Sequence, residues 1–288
     1  MRRAALASVS VALVMVLLKA GAYFASDSVA MLASTADSAL DLFTAGLNLF
    51  AIRTALAPAD AEHRFGHGKA EPLAGLAQGA FISASALFLV LQAVERLKAP
   101  QPIHHSLAAL VVMCVSILAA IGLILYERRV ARLTGWVAVG ADAMHYFGDL
   151  VTNIGVVLAI LLAATLGWRL ADPIIALLVA LVLAASALLV FRASFDQLMD
   201  RELPDAERDR IIAIVRREPG VQRLHELKTR RAGLSVFIQM HLEMDGAMPL
   251  IQAHAISDRV EAALRTAYPH AEIIIHQDPA GLEAAQAV

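Results

Sequence analysis

The feature that most restricts the fold of this chain is a series of long apolar stretches. A helix needs roughly 20 mostly apolar residues to cross a bilayer. The stretches that reach this length cover about 4–25, 30–55, 70–97, 106–127, 134–164 and 173–197. The second and fifth reach it only if a few polar residues are tolerated. Hydrophobic residues make up 59% of the 288 positions, against about 45–50% in a soluble domain. The sequence therefore predicts an α-helical membrane protein with six transmembrane helices.

The last third of the chain has a different composition and predicts a separate domain. From about Leu203 the pattern predicts a helix, two strands around a turn at Ala232-Gly233, a second helix and a short final strand. This αββαβ order predicts a small α+β, ferredoxin-like domain with its helices on one face of a sheet. We expect residues 1–200 to form the six-helix transmembrane domain and residues 201–288 to form the tail domain.

The distribution of basic residues predicts the orientation of the chain in the membrane. Lys and Arg close to the spans mark the cytoplasmic side. One side of the predicted spans carries Arg2, Arg3, Arg53, Arg64, Lys69, Arg128, Arg129 and Arg132, whereas the other carries Arg96, Lys98 and Arg169. Both termini and the tail domain are therefore expected in the cytoplasm. The net charge of -2 gives no sign of a nucleic-acid partner, and the single cysteine, Cys114, excludes an internal disulfide and a cysteine-based metal site.

Two of the predicted spans carry acidic side chains, which are rare and usually functional inside a membrane. Asp37 and Asp41 are four residues apart in the second span, so they share one helix face. His145 and Asp149 repeat this spacing in the fifth span, and Asp142 lies on the same stripe. If the two helices face each other, three carboxylates and one imidazole come together. Asp142 is expected to face water or to support the other four.

A divalent cation would relieve the repulsion within such a group of carboxylates. Four oxygen and nitrogen ligands suit a tetrahedral, zinc-like ion, although neighbouring first-row metals also fit them. Two alternatives remain open from the residues alone: a proton relay without metal, and protonated acids that only join packed helices. An enzyme is not expected, because the His-Glu-x-x-His motif of a metalloprotease is absent from the sequence and four protein ligands leave no open catalytic position.

The paired motifs and their context resemble the cation diffusion facilitator family. The resemblance is carried by Asp-x-x-x-Asp in the second span, His-x-x-x-Asp in the fifth, "FGHGKAEPLAGLAQ", "IIIHQDP" and the α+β tail. It is closest to the bacterial zinc/proton antiporters of that family and covers about residues 4–279. The resemblance implies a homodimer in the inner membrane that exports divalent metal ions, most often Zn(II), in exchange for protons. An Asp at position 37, where a zinc-selective branch has His, implies that Cd(II) or Fe(II) is also accepted.

The resemblance also assigns roles to particular residues. It implies that Asp37, Asp41, His145 and Asp149 bind the transported ion. Asp60, His63 and His67, which the sequence alone would allow in a solvated loop, match a second, more exposed zinc site. It further matches Lys69 and Asp200 to a charge pair that joins the two membrane domains of the dimer.

The tail contains several histidines that the sequence alone would also allow as scattered surface residues. The resemblance implies instead a structural or regulatory two-zinc site, with Asp278 bridging the ions and the histidines supplying the remaining ligands; the implied ligands are His225, His241, His254, His276 and Asp278. A rival hypothesis is a membrane-anchored metal sensor that signals through this tail. A sensor would not need ligands inside the spans, so the residues of the second and fifth spans favour transport.

Overall fold

Six long helices form the first two thirds of the chain. The computed structural model describes residues 2–26, 29–98, 107–166 and 170–281. Within these residues the long helices are α1 Arg2–Ser26, α2 Val29–Ala55, α3 Ala70–Lys98, α4 Leu107–Thr134, α5 Val137–Leu166 and α6 Ala171–Leu198. Each coincides with one of the six apolar stretches, so the predicted helices are confirmed as helices.

Three of these helices are long and apolar enough, by length and composition, to cross a membrane. The qualifying segments are Arg2–Gly21 in α1, Ala70–Lys98, which is all of α3, and Pro173–Leu198 in α6. The search was limited to the part of the chain that the structure describes. For α2, α4 and α5, a membrane-spanning role stays a prediction.

The long helices pack closely where glycines remove side-chain bulk. Helix α1 packs against α2 and α4, and α5 packs against α3 and α4. A Cβ atom built on Gly148 of α5 would lie 2.5 Å from Leu183 Cδ2, and one on Gly155 would lie 2.9 Å from Val179 Cγ2. Both partners belong to α6, so these two glycines allow α5 and α6 to approach each other. Small residues at helix contacts are typical of membrane bundles, where close packing replaces the hydrophobic effect.

The described chain divides into two compact units. The first contains residues up to 57 together with 70–195, and the second contains 58–69 together with the residues from 196 onward. The 58–69 segment packs on the tail through Gly68, where an added Cβ would lie 2.5 Å from the Ala232 carbonyl oxygen. The predicted division of the chain at residue 200 stays a prediction; the division into compact units adds that the 58–69 segment groups with the tail, which linear composition does not show.

The second unit contains the αββαβ order that the sequence predicts. Its elements are α7 Asp205–Val215, β1 Arg223–Ala232, β2 Ser235–Met244, α8 Leu250–Ala267 and β3 Ala271–Pro279. The sheet order is β1-β2-β3, with β1 antiparallel and β3 parallel to β2. Among the described residues, the first strand of a complete ferredoxin-like βαββαβ unit is absent. The hairpin turn lies at Gly233-Leu234, one residue later than predicted, and Gly233 supplies the required positive φ of 60°.

A separate apolar core holds this unit together. Ile211 and Val215 of α7 and Val260 and Leu264 of α8 are almost fully buried, and they belong to the same cluster as Ile238 of β2. Both helices therefore cover one face of the sheet. The opposite face is not covered by these two helices; Phe237 of β2 contacts Phe65 of the 58–69 segment there, and His241 and Glu243 of β2 lie on the same face.

Candidate metal centres

One cluster of metal-binding side chains lies between α2 and α5. His145 Nε2 is 3.2 Å from Asp41 Oδ1 and 3.8 Å from Asp149 Oδ2. The possible ligand atoms of these three residues all lie within 4.8 Å of one another. The four-residue spacing of His145 and Asp149 puts both on one face of α5, and α2 supplies Asp41 from the opposite side. The sequence predicts that these two motifs lie close together, and the structure shows this for three of the four residues.

The fourth predicted member, Asp37, has a side chain that lies outside the described residues. Its backbone belongs to α2, one turn before Asp41. Its participation in the cluster stays a prediction. The three described side chains are partly buried, with exposed fractions of 11% for His145, 24% for Asp41 and 39% for Asp149. This exposure leaves the cluster accessible to a small ion while most of the imidazole is protected from water.

A second cluster lies in the 58–69 segment. His63 Nδ1 is 3.4 Å from Asp60 Oδ1, His67 Nε2 is 3.3 Å from Asp60 Oδ2, and the two imidazole centroids are 4.6 Å apart. The backbone N–H groups of Glu62 and His63 both donate to Asp60 Oδ1. The hydrogen bond from the His63 backbone is the main reason that the pKa of Asp60 lies below its usual value. The segment thus holds an ionised carboxylate between two imidazoles in an exposed position.

A third cluster lies on the face of the tail sheet opposite the two helices, where three histidines align across the strands. His225 of β1 is paired with His241 of β2, which is paired with His276 of β3. The ring centroids are 5.1 Å apart for His225 and His241, and 4.6 Å apart for His241 and His276. Strand register alone therefore brings together three imidazoles that are far apart in sequence.

The two carboxylate oxygens of Asp278 contact different histidines in this row. Oδ2 lies 2.8 Å from His241 Nδ1 and 3.4 Å from His225 Nε2, whereas Oδ1 lies 3.1 Å from His276 Nε2. The Asp278 side chain is only 10% exposed, and that of His225 is 6% exposed. A carboxylate whose two oxygens face separate imidazole groups can bind one ion through each oxygen.

The structure does not bring His254 to the tail cluster within one chain. This residue lies on α8, its side chain is 69% exposed, and its Nε2 is 3.6 Å from Asp258 Oδ2. Its neighbour Ala253 and the residues Ile256 and Val260 form the buried face of α8. His254 is therefore turned away from the sheet by the helical period, and its role as a ligand stays a prediction.

Two acidic residues beside the tail cluster were missed by the sequence analysis. Glu243 Oε1 lies 3.7 Å from His225 Nε2, and Glu226 Oε2 lies 3.8 Å from His241 Nε2. The two-residue spacing from His241 to Glu243 places both side chains on one face of β2, a signal that was available in the sequence. The sequence did not indicate Glu226. This residue lies at an irregularity in the pairing of β1 with β2, between His225 and Lys228, and its backbone has a positive φ of 48°. A hydrogen bond from Lys228 lowers the pKa of Glu226.

Lys69 and Asp200 form an ion pair within the second unit, with Lys69 Nζ 3.0 Å from Asp200 Oδ1. Arg230 Nη1 lies 3.3 Å from the same oxygen. Partial burial of Asp200 acts to raise its pKa, but Lys69 and Arg230 outweigh it and the pKa is lowered. Both members of the expected charge pair are therefore partners inside a single chain, where they connect the end of the 58–69 segment to the tail.

Comparison with known proteins gives the family context of these clusters. A family profile described as a cation efflux transmembrane domain matches residues 5–199, and one described as the cytoplasmic domain of a cation efflux protein matches residues 203–280. The chain belongs to the cation efflux family. Its membrane location, its action in divalent metal cation efflux and the non-enzymatic nature of this family agree with the sequence-based expectations.

Similar proteins extend over almost the whole chain. The cation-efflux pump FieF of Klebsiella pneumoniae is 42% identical over 280 residues, which are 97% of this chain and 93% of that protein. The FieF pump of Shewanella oneidensis is 43% identical over 277 residues, or 96% and 93% of the two chains. Among solved structures, the metal-bound C-terminal domain of the CzcD transporter from Thermotoga maritima is 30% identical, with a TM-score of 0.26, and covers 28% of this chain and 100% of its own.

Proposed function

We propose that this member of the cation efflux family exports Zn(II) from the cytoplasm in exchange for protons, with Cd(II) or Fe(II) as further substrates. The observation that carries the proposal is the cluster of Asp41, His145 and Asp149 on two facing helices. One imidazole nitrogen and two carboxylate oxygens are ligands that zinc binds, and Asp37 would complete a set of four. The relatives are cation-efflux pumps by name, which supports movement of the ion rather than its storage.

The same ligand set provides a physical basis for proton exchange. A metal ion binds deprotonated ligands, so protons and Zn(II) compete for His145 and its carboxylate neighbours. An imidazole changes protonation close to neutral pH in water. If the cluster is exposed alternately to the two sides of the membrane, metal entering from one side displaces protons, and protons entering from the other side displace metal.

We further propose the membrane arrangement that makes this exchange an export. All six long helices span the bacterial inner membrane, both termini and the tail lie in the cytoplasm, and two copies of the chain form a homodimer. The excess of Lys and Arg on one side of the predicted spans supports this orientation, and the match of residues 203–280 to a cytoplasmic efflux domain supports the location of the tail.

The two other clusters fit a structural or regulatory use of zinc. Neither requires transport through the membrane helices, since Asp60, His63 and His67 lie in an exposed segment and the row of histidines lies on the tail sheet. We propose that zinc at these sites stabilises the second unit and adjusts the activity of the transporter.

Removing a ligand of the membrane cluster tests the proposal. Asp149→Ala should lower Zn(II) flux into sealed vesicles by about 100-fold or to background, because an under-coordinated ion binds weakly next to the remaining charges. Flux is measured with the purified full-length protein and a trapped zinc-sensitive dye, and a pH gradient is imposed to detect proton exchange. Asp209→Ala, which removes an exposed acid of α7, is the matched control and should transport normally.

The result also separates transport from the rival sensor function. Wild-type flux in Asp149→Ala vesicles would show that the cluster is not on the ion path. Zinc binding by the wild type without any flux would instead favour a sensor.

A further inference from the structure

Two acidic side chains lie fully buried among the long helices and are not part of the metal clusters. Glu127 of α4 and Asp142 of α5 both have an exposed fraction of 0%. Glu127 lies one turn beyond Leu123 and Asp142 one turn before Tyr146, and Leu123 and Tyr146 belong to one buried cluster where α4 packs against α5, so the two acids are neighbours at this helix contact. Asp142 was expected to face water or to support the metal ligands, and Glu127 was expected only as the last residue of an apolar stretch. Their burial next to each other needs a physical explanation.

The surroundings of this pair supply too few hydrogen bonds for two ionised carboxylates. Gln78 Nε2 of α3 donates to Asp142 Oδ1 at 3.0 Å. Asp142 Oδ2 and both Glu127 oxygens have no hydrogen-bond donor, although all of these atoms are buried. Among the described residues, no lysine or arginine forms an ion pair with either acid. The Glu127 side chain is thus a fully buried, unpartnered polar group directed at a second buried acid.

A shared proton accounts for this arrangement. Two adjacent carboxylates in a dry environment cannot both ionise without strong repulsion, so one proton remains between them. The proton provides the donor that the pair otherwise lacks and leaves it with a single negative charge. Ionisable residues inside membrane proteins commonly form part of ion or proton pathways, because they can hold and release a proton there.

The pair lies close enough to the metal cluster to sense its charge. Asp142 precedes His145 by three residues on α5, so the two side chains lie about one helical turn apart on neighbouring positions of the helix. Other titratable groups on the surrounding elements are Tyr146 on α5, whose hydroxyl lies 3.0 Å from Ser8 Oγ of α1, and Asp41 on α2, which lies 3.2 Å from His145. From α3 the pair meets Gln78, which does not titrate.

We propose that Glu127 and Asp142 form a proton-binding site that is separate from the metal ligands and increases the number of protons exchanged for each transported metal ion. This inference rests on the proposed zinc/proton antiport. When Zn(II) binds at the neighbouring cluster, its two positive charges stabilise the doubly ionised pair, and one proton leaves the pair as H⁺. When the metal ion leaves, the pair takes one proton back from water. No bond other than the carboxyl O–H forms or breaks.

Proton release on metal binding tests this site in the full-length protein. Zn(II) is added to the purified wild type and to Glu127→Gln in weakly buffered detergent solution containing a pH indicator, while calorimetry counts the bound metal. Glu127→Gln should release about one proton fewer per chain than the wild type at saturating Zn(II), with the same number of ions bound. Glu71→Gln is the matched control: it changes another buried carboxylate of the first unit, one that accepts a hydrogen bond from the Val137 backbone N–H, and it should leave the proton count unchanged.

A spectroscopic measurement on the wild type keeps the proposal testable if Glu127→Gln fails to fold. Infrared difference spectra should show the carbonyl stretch of a protonated carboxyl group that disappears when Zn(II) binds, and Asp142→Asn should remove or shift it. Equal proton release by wild type and Glu127→Gln, the absence of this band from the wild type, or the loss of a bound Zn(II) in Glu127→Gln would overturn the proposal. Absence of Zn(II) binding to the wild type would refute the proposed function itself, so the two failures are distinguishable.

Discussion

At the scale of single residues, three parts of the chain use the same chemical unit, an imidazole beside a carboxylate oxygen. The closest approaches are 3.2 Å for His145 and Asp41, 3.3 Å for His67 and Asp60, and 2.8 Å for His241 and Asp278. The units differ in access to water: Asp60 is half exposed, with 51% of its side chain accessible, whereas Asp278 has 10%. A buried ligand set should bind its ion more tightly, because fewer water molecules compete for it and the charges are screened less.

Position 37 offers a test of ion selectivity at a single residue. Asp37→His should lower the Cd(II) flux relative to the Zn(II) flux severalfold, because it replaces a charged oxygen ligand with a neutral nitrogen ligand and approaches the pattern of the zinc-selective branch. The measurement is a competition assay with both ions in sealed vesicles. Asp209→His introduces the same change on the exposed surface of α7 and should not alter the ratio. An unchanged ratio in Asp37→His would exclude this side chain as a selectivity determinant.

At the scale of secondary structure, the helices and strands could be predicted from the sequence more completely than the contacts between them. The six long helices and the αββαβ tail were predicted because apolar length and periodicity are local signals. The end of α4 was not predicted: the fourth apolar stretch ends at about residue 127, where the charged sequence "ERRVARLTG" begins, but α4 continues to Thr134. Glu127 is the first residue of this charged sequence, so local composition predicts that it is exposed. Its burial depends instead on the packing of α4 against α5.

The same distinction applies to the candidate sites. Spacing of four residues identified the face shared by His145 and Asp149, and the family resemblance indicated the candidate ligands of the tail. Neither gave the alignment of His225, His241 and His276, because strand register depends on pairing between distant segments. The irregularity that brings Glu226 towards His241 could not be predicted for the same reason.

One contact between α7 and α8 provides a test of how these elements stabilise the tail. The Tyr268 hydroxyl, directly after α8, donates to Glu207 Oε2 of α7 at 2.7 Å. Burial, together with this hydrogen bond, raises the Tyr268 pKa from 10.0 to about 12. A group whose pKa is higher in the folded state than in the unfolded state stabilises the fold fully at pH values below its unfolded-state pKa. This contribution is lost as the pH rises through its folded-state pKa. The relevant window therefore extends from about pH 10 to 12.

Tyr268→Phe should lower the free energy of unfolding of the isolated tail by about 0.5–1.5 kcal/mol at neutral pH. The difference from the wild type should shrink as the pH rises through this window, because the wild-type phenol then loses the proton that it donates. Urea unfolding curves at several pH values measure both effects. Thr266→Ala removes an exposed, non-titrating hydroxyl of α8 and should differ from the wild type by a constant amount. A pH-independent difference for Tyr268→Phe would contradict the assigned hydrogen bond.

At the scale of the whole molecule, each compact unit has apolar clusters of its own. The core of the second unit is formed by residues of α7, α8 and the sheet together with their connections, and no described residue of the long helices belongs to this cluster. The candidate metal ligands divide in the same way: Asp41, His145 and Asp149 belong to the first unit, and the other two clusters belong to the second. The proposed ion transport and the proposed stabilisation by zinc can therefore be measured separately.

The tail expressed alone, from about residue 203 to 284, should form a soluble dimer that binds more than one Zn(II) per chain. Asp278 presents Oδ2 to His225 and His241 and Oδ1 to His276, an arrangement that suits a bridge between two ions, with water or a further side chain filling the open positions. Because metal would hold all three strands, its binding should appear as added stability, about 2.7 kcal/mol when free zinc is 100 times the dissociation constant.

Calorimetry and thermal unfolding of this tail fragment, with and without Zn(II), measure the two effects. His241→Ala combined with Asp278→Ala should abolish zinc binding and the added stability, whereas His270→Ala, at an exposed position just before β3, should retain both. In the full-length protein the same double substitution should weaken Zn(II) transport without abolishing it, since the membrane cluster is intact. If the fragment binds no zinc at micromolar concentrations, or melts at the same temperature with and without it, the row of histidines is not a metal site.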